Sequence, residues 1–292
     1  MKKMETRTVL VTGASAGIGA AIAHRLAREG YRVFGTTRRL ENLAGAPEEL
    51  RAVTAETGGG GSLPHPVRFV ELDVTDPATI ARAVDQVLAE AGRIDVLINN
   101  AGWGTFGSVE ELPIETARAL FDTLVFGALR MIQAVVPAMR ERRDGMVVNI
   151  TSIAARAVIP FQAHYSAAKA ALEALTIGLR QELLPFGVRV VALAPTDINT
   201  RFNDVTIFGQ HEASPYRPWS EPCWRVIDEN LKKAPSPAVV AEKVSAILRC
   251  PRPRPIYTVG IPIQRLAPTI FRLLPKSLEI SLMRLFYGLG GR

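Results

Sequence analysis

Cysteine and histidine are scarce in this chain. Of its 292 residues, Cys223 and Cys250 are the two cysteines and four are histidines, with no C-x-x-C and no His cluster. There is no material for a disulfide framework or a zinc centre, so no metal site is expected and a reducing, cytoplasmic setting fits. Long apolar runs are missing as well, since no charge-free stretch approaches the roughly 18 residues of a spanning helix. The opening Met1-Lys-Lys could pass for a signal peptide, but Glu5 and Arg7 interrupt it, and the apolar stretch beyond is a glycine-rich turn. It is read as mature structure. Aromatics make up 7% of the chain and are not interleaved with a basic stripe. The net charge of +7 and pI near 9.7 are therefore read as solvated surface, not as a nucleic-acid footprint. With 48% hydrophobic and 22% charged residues the composition is globular, and the length suffices for a substantial core.

What is present begins at Thr8-Val-Leu-Val11, a buried-strand pattern that runs through Gly13, Gly17 and Gly19 into the helical Ala20–Arg28 segment. Glycines at a strand-to-helix turn let the backbone bend tightly and let a pyrophosphate approach the helix N-terminus, whose N–H groups and dipole favour anions. Strand and helix patterns then alternate, with strands expected at 8–12, 31–36, 67–72, 95–98, 146–151 and 188–194. Helices are expected at 18–29, 40–56, 77–91, 114–140, 163–184 and 237–249. This rhythm predicts a doubly wound α/β fold, a parallel sheet covered on both faces. The Gly58–Gly61 run reads as a loop inside it and not as a domain boundary.

Tyr165 and Lys169 stand at i and i+4, on one face of any helix there. A fixed cation beside a phenol favours the phenolate, lowers the pKa from about 10 and makes the tyrosine a usable general acid/base. Thirteen positions upstream, Ser152 follows the strand-like Met146–Thr151 run, where its hydroxyl could hold a substrate oxygen against the phenol. Alone, Tyr-x-x-x-Lys is equally an exposed helical pair.

Taken together, T-G-x-x-x-G-x-G at Thr12–Gly19, Asn99-Asn-Ala-Gly102, Ser152 and Tyr165/Lys169 closely resemble the short-chain dehydrogenase/reductase family, of hydroxysteroid/retinol dehydrogenase-like type, over residues 6 to 200. The resemblance implies a Rossmann-like fold and hydride transfer between a nicotinamide cofactor and a carbonyl or alcohol. Tyr165 would protonate the oxygen, Ser152 would hold it, and Lys169 would bond the nicotinamide ribose and lower the tyrosine pKa. Ser15 and Ile18 would line the phosphates with the glycines, Asp73 with Val74 would meet the adenine, Asn100 the adenosine ribose, and Ile198 and Thr200 the carboxamide. A homo-oligomer is also implied.

Cofactor choice is read at the end of the second strand. Gly35-Thr-Thr-Arg-Arg39 offers no acid for ribose hydroxyls, whereas Arg38 and Arg39 are suited to the extra phosphate of NADP(H). Two positions depart from the family pattern. Leu124 stands where a helical Asn is usual, and it is expected neither to hold a helix kink nor to bind the water of a proton relay. Thr196 follows Pro195 where glycine is usual. Leu124 keeps open a second reading, a dinucleotide-binding protein with weak or altered chemistry that serves as a redox-sensing or interaction module.

One domain over 6–250 is expected, with a substrate lid at about 200–235 and an extension over 251–292. Phe202, Phe208, Tyr216, Trp219 and Trp224 make the lid aromatic, suited to a bulky apolar carbonyl or alcohol or simply to packing on the body. Trp103 reads as a pocket wall or a cap on the sheet edge, and His164 as a pocket or interface residue. Leu266–Tyr287 mixes Ile, Phe, Leu and Met with Arg272, Lys276 and Arg284. That basic amphipathic pattern suits a membrane surface, although pocket closure or a dimer interface is the commoner use.

Overall fold

The computed structural model describes residues 6–45, 66–209 and 212–290. Strand β1 (Thr8–Val11) leads through the glycine turn into α1 (Gly17–Arg28), then β2 (Arg32–Thr37) and a 3-10 turn over Leu40–Gly45. The remainder of the helix expected at 40–56, and the Gly58–Gly61 loop, lie outside the described residues. Next come β3 (Arg68–Glu71), α2 (Pro77–Ala91), β4 (Val96–Asn99) and a short β5 (Thr105–Phe106). Helix α3 (Ile114–Phe121) continues through a π-helical turn at Asp122–Gly127 into α4 (Ala128–Glu141). They are followed by β6 (Gly145–Ile150), α5 (Ala163–Leu183), β7 (Val188–Pro195) and β8 (Ile207–Phe208). The chain closes with α6 (Arg217–Lys233), α7 (Ala238–Arg249), β9 (Ile256–Val259), α8 (Pro262–Leu273) and α9 (Lys276–Phe286).

Seven parallel strands form one sheet in the order β3-β2-β1-β4-β6-β7-β9. Because side chains alternate along a strand, β1 feeds both faces. Val9 and Val11 join α1 and α7 in one apolar layer with Ile22, Leu26 and Val244. Leu10 faces the other, with Val84, Met131, Val135 and Met139 from α2 and α4. Each such side chain, fully removed from water, contributes about 1.5–3 kcal/mol. The run from Ile114 to Glu141 has the length and hydropathy of a spanning helix. With Met131, Val135 and Met139 packed on the sheet and Arg118, Asp122 and Arg130 along it, it is a core helix of this fold.

Where local chemistry is explicit, the expected boundaries hold. Helix α2 starts with the Asp76 carboxylate accepting from the Ala78 N–H and Pro77 in the first turn, and it ends on Gly92 at φ 76°. Two segments hold more regular structure than the sequence pattern showed. The expected lid at 200–235 contains β8, which pairs with β5, and all of α6. Pro218 and Pro222 obscure that helix in the sequence, yet the first is in its opening turn, where no intrahelical N–H is required. The extension over 251–292 supplies β9, which pairs with β7 as the outer strand of the main sheet.

Candidate active site

In the sheet order, β1 lies between β2 and β4, so the chain departs to opposite sides of β1 and opens a crevice beyond the strand ends. The glycine turn forms its floor. Gly13 (φ +65°) and Gly17 (φ +55°) adopt the left-handed conformation that side chains disfavour. A Cβ on Gly19 would stand 2.2 Å from the Gly13 carbonyl oxygen and 2.5 Å from the Asn100 amide nitrogen. At the head of α1 the N-cap is Ala16, which supplies no side-chain cap. The first-turn N–H groups of Gly17, Ile18 and Gly19, with Ser15 half-exposed beside them, therefore suit an anion such as a dinucleotide pyrophosphate.

Other expected cofactor residues fall around this crevice with differing side-chain roles. Asn100 is committed to the turn, its amide donating to the carbonyls of Thr12 (2.9 Å) and Gly13 (3.0 Å), so it braces the cradle. The Asp73 carboxylate accepts from both the N–H and the hydroxyl of Thr75. Val74 is buried against Gly127 and Ile198 is buried in the core, so neither side chain is exposed to a ligand. Thr200 lies beside Gly17, within 3.6 Å of where a Cβ would be. Arg38, just past β2, is exposed and has no ion pair among the described residues. Thr196, in place of the usual glycine, is anchored by the Ile261 N–H at 2.8 Å, and Gly260 (φ +117°) leaves room for its hydroxyl.

Ser152, Tyr165 and Lys169 converge at the C-terminal end of β6. Ser152 Oγ accepts from the Ala154 N–H at 3.1 Å, leaving its O–H to donate, and Ser152 lies close enough to the Tyr165 phenol to influence its ionisation. Lys169 Nζ donates to the Ile150 carbonyl at 2.9 Å and lies 5.7 Å from the Tyr165 ring centroid. The expectation that the lysine lowers the tyrosine pKa is not met in this arrangement. Burial pushes the phenol up to about 12, against a smaller lowering by Ser152, and pushes the Lys169 ammonium down to about 8. The ammonium is spent on a carbonyl at one side of the ring, and desolvation outweighs its field. A phenol so held is protonated at neutral pH and can give a proton to a developing alkoxide.

Leu124 corrects a second expectation, because the irregularity is present without asparagine. It sits at the centre of the π-turn, buried and packed with Leu120, Val125 and Ala168. Trp103 braces the same turn through its indole N–H to the Thr123 hydroxyl at 3.1 Å and packs with Leu124 beside Tyr165. Beside Leu124 is a cavity of about 10 Å³ lined by Thr12, Asn99, Ile150 and Lys169 among others. The Asn99 amide donates to Asn149 Oδ1 at 2.8 Å, which fixes its orientation, and its own buried Oδ1 has no partner among the described residues. This cavity is at the lower size limit for one water and has the polar lining a water needs. Sequence reading missed Asn99, whose signal was its place in the Asn99–Gly102 motif. Leu124→Asn is expected to change turnover by less than about tenfold. It should cost about 1–3 kcal/mol if the new amide lacks partners, which paired kinetics and thermal unfolding would check.

The aromatics divide by contact. Phe208, Tyr216 and Trp224 pack with Phe106 and Phe161 into a cluster joining lid and body. Phe202 instead meets the Tyr165 ring edge-on at 5.6 Å and faces the site. Cys223 is buried in the cluster, its thiol pushed up to about 12 by burial, and so is inert. Asp197 was also missed. It accepts from the Gln264 amide at 2.6 Å, linking the loop after β7 to α8, and burial raises its pKa. His164 is partly buried beside Tyr165, with its pKa lowered by burial.

A doubly wound sheet with a pyrophosphate cradle and a Ser/Tyr/Lys cluster at neighbouring strand ends defines a dinucleotide-dependent oxidoreductase. A family model described as short chain dehydrogenase matches residues 7–207. The chain belongs to the short-chain dehydrogenase/reductase family, whose members bind a nicotinamide cofactor. It is 31% identical over 290 residues to 3-ketodihydrosphingosine reductase of Bacteroides thetaiotaomicron, covering 98% of this chain and all of that one. A short-chain dehydrogenase from Streptomyces avermitilis has a similar structure, with TM-score 0.78, 32% identity and coverage of 97% and 96% of the two chains. Another from Burkholderia cenocepacia, solved in complex with NADP, has TM-score 0.69 and 27% identity, covering 95% of this chain and 98% of that one.

Proposed function

We propose that this protein is an NADP(H)-dependent reductase of a bulky, apolar ketone. The observation that carries the reading is the convergence of Ser152, Tyr165 and Lys169 at the end of β6, with a buried phenol held protonated at neutral pH. The cofactor, when bound, supplies or accepts the hydride. Ser152 would donate its O–H to the substrate oxygen, Tyr165 would deliver its proton to that oxygen as negative charge develops, and Lys169 would hold the cofactor ribose. In the alcohol-to-ketone direction the same phenol must first be deprotonated. Phe202 against the Tyr165 ring and the aromatic lid cluster support an apolar substrate, as does the keto substrate for which the Bacteroides reductase is named. A panel of hydrophobic ketones assayed by NADPH oxidation tests the reading, and no turnover of any would favour the weak-chemistry alternative that Leu124 motivates.

The NADP assignment is carried by Arg38 and by the absence of an acid at the end of β2, and is supported by the NADP complex of the Burkholderia relative. An arginine–phosphate pair contributes on the order of 1.5–3 kcal/mol, so NADPH should bind at least about tenfold tighter than NADH. Arg38→Leu should erase most of that preference in a fluorescence titration. Equal affinities in the unaltered protein would overturn the assignment.

A further inference from the structure

The two C-terminal helices carry an apolar surface that the fold leaves uncovered. On α8, Ile263, Leu266, Ile270 and Leu273 follow at three- and four-residue steps, which puts them on one stripe. All four are exposed, from 45% for Ile270 to 81% for Leu273. On α9, Leu278, Leu282 and Leu285 repeat the pattern with Phe286 beside them, again exposed. Of the 21 exposed large apolar side chains among the described residues, nine lie between 263 and 286, so this is a concentrated patch and not the usual scatter. The fold uses other sides of these helices. Gln264 holds Asp197, while Met283 and Tyr287 pack with Phe106, Cys223 and Trp224.

Charge identifies the occupant. Residues 262–290 contain Arg265, Arg272, Lys276 and Arg284 against one acid, Glu279, which is buried and paired with Lys276 at 2.6 Å. Among the described residues neither Arg265 nor Arg272 forms an ion pair. We propose that α8 and α9 form a docking surface for an anionic lipid bilayer, the apolar stripes entering the headgroup–acyl boundary and the arginines meeting lipid phosphates. A second copy of the chain is a poorer occupant, because a symmetric contact would set these cations against their own counterparts with the one acid already paired. The docked face adjoins the site: Gln264 is tied to the 196–200 loop, and Phe202 just beyond that loop touches Tyr165. Entry of an apolar ketone from the bilayer would follow, a consequence that rests on the substrate reading above, whereas docking does not.

The full-length protein should be sedimented with vesicles of phosphatidylcholine alone and of phosphatidylcholine mixed with phosphatidylglycerol. Binding is expected to the anionic vesicles, at least about tenfold weaker to the neutral ones, and weakened when salt rises from about 0.1 to about 1 M. Arg265→Glu with Arg272→Glu, and separately Leu266→Glu with Leu285→Glu, should each lower vesicle binding by about tenfold or more while NADPH affinity is retained. Equal binding to both vesicle types, or binding to neither, would overturn the proposal. So would a concentration-dependent dimer lost in the same variants without vesicle binding, which would assign the stripes to a second copy. Should the leucine pair fail to fold, the exposed arginine pair decides. None of these readouts involves turnover, so failure of the substrate reading leaves them intact.

Discussion

Tyr165→Phe is expected to lower turnover by about 10²-fold or more while leaving NADPH affinity within a few fold. The loss corresponds to about 2.7 kcal/mol of transition-state stabilisation, the scale of a missing general acid. The ring is retained: it packs beside Leu120, Leu124 and Ala168 and meets Phe202 edge-on, contacts that phenylalanine reproduces. The neighbouring Ser152 keeps its bond from the Ala154 N–H, so the stability cost should stay near 0.5–1.5 kcal/mol. The pH dependence adds a second check. With the phenol pushed up to about 12, the proton donor is intact across neutral pH, and ketone reduction should show no loss there from its ionisation. Alcohol oxidation needs the phenolate and should rise with pH over the same range. Normal turnover by the Phe variant would mean that the proton comes from elsewhere.

Much of this site was legible because its demands are local. A positive φ at Gly13 and Gly17 and the near-contact at Gly19 leave a glycine signature, and the i, i+4 step of Tyr165 and Lys169 survives any tertiary arrangement. What escaped depends on distant partners. Four-residue β9 is hemmed by Pro251, Pro253 and Pro255 on one side and Gly260 on the other, and only pairing with β7 makes it a strand. The π-turn around Leu124 needs no asparagine because packing with Leu120 and Ala168 and the Trp103–Thr123 bond enclose it, and neither is written in the spacing. The direction of the tyrosine shift was misread for the same reason. Adjacency predicts attraction between charges, whereas burial, a property of the whole fold, decides which forms are charged.

Lys169 offers the sharpest measure of that burial, and Lys169→Met should separate its chemical role from its cost to the fold. The side chain is 5% exposed, and its pKa falls from 10.5 to about 8 because water is excluded from the ammonium. The folded protein therefore releases this proton near pH 8 and the unfolded chain near 10.5. Between those values the unfolded state binds more protons, so stability from this group rises with pH; below pH 8 the penalty is fully present. A shift of this size corresponds to about 3 kcal/mol. Methionine has a similar length and no charge, but it abandons the Ile150 carbonyl that Lys169 now satisfies, at a cost of about 1–3 kcal/mol. That loss varies little with pH whereas the ionisation cost varies strongly, so the change with pH is the diagnostic quantity. Relative to the unaltered protein, the Met variant should be most favoured at pH 7 and should lose on the order of 2–3 kcal/mol of that advantage by pH 10 in denaturant unfolding. Its turnover should fall by about 10²-fold or more, since the group proposed to hold the cofactor ribose is gone. A stability difference constant from pH 7 to 10 would show that the ammonium is solvated in the folded state. Lys169 would then be available, as the sequence suggested, to draw the tyrosine pKa down.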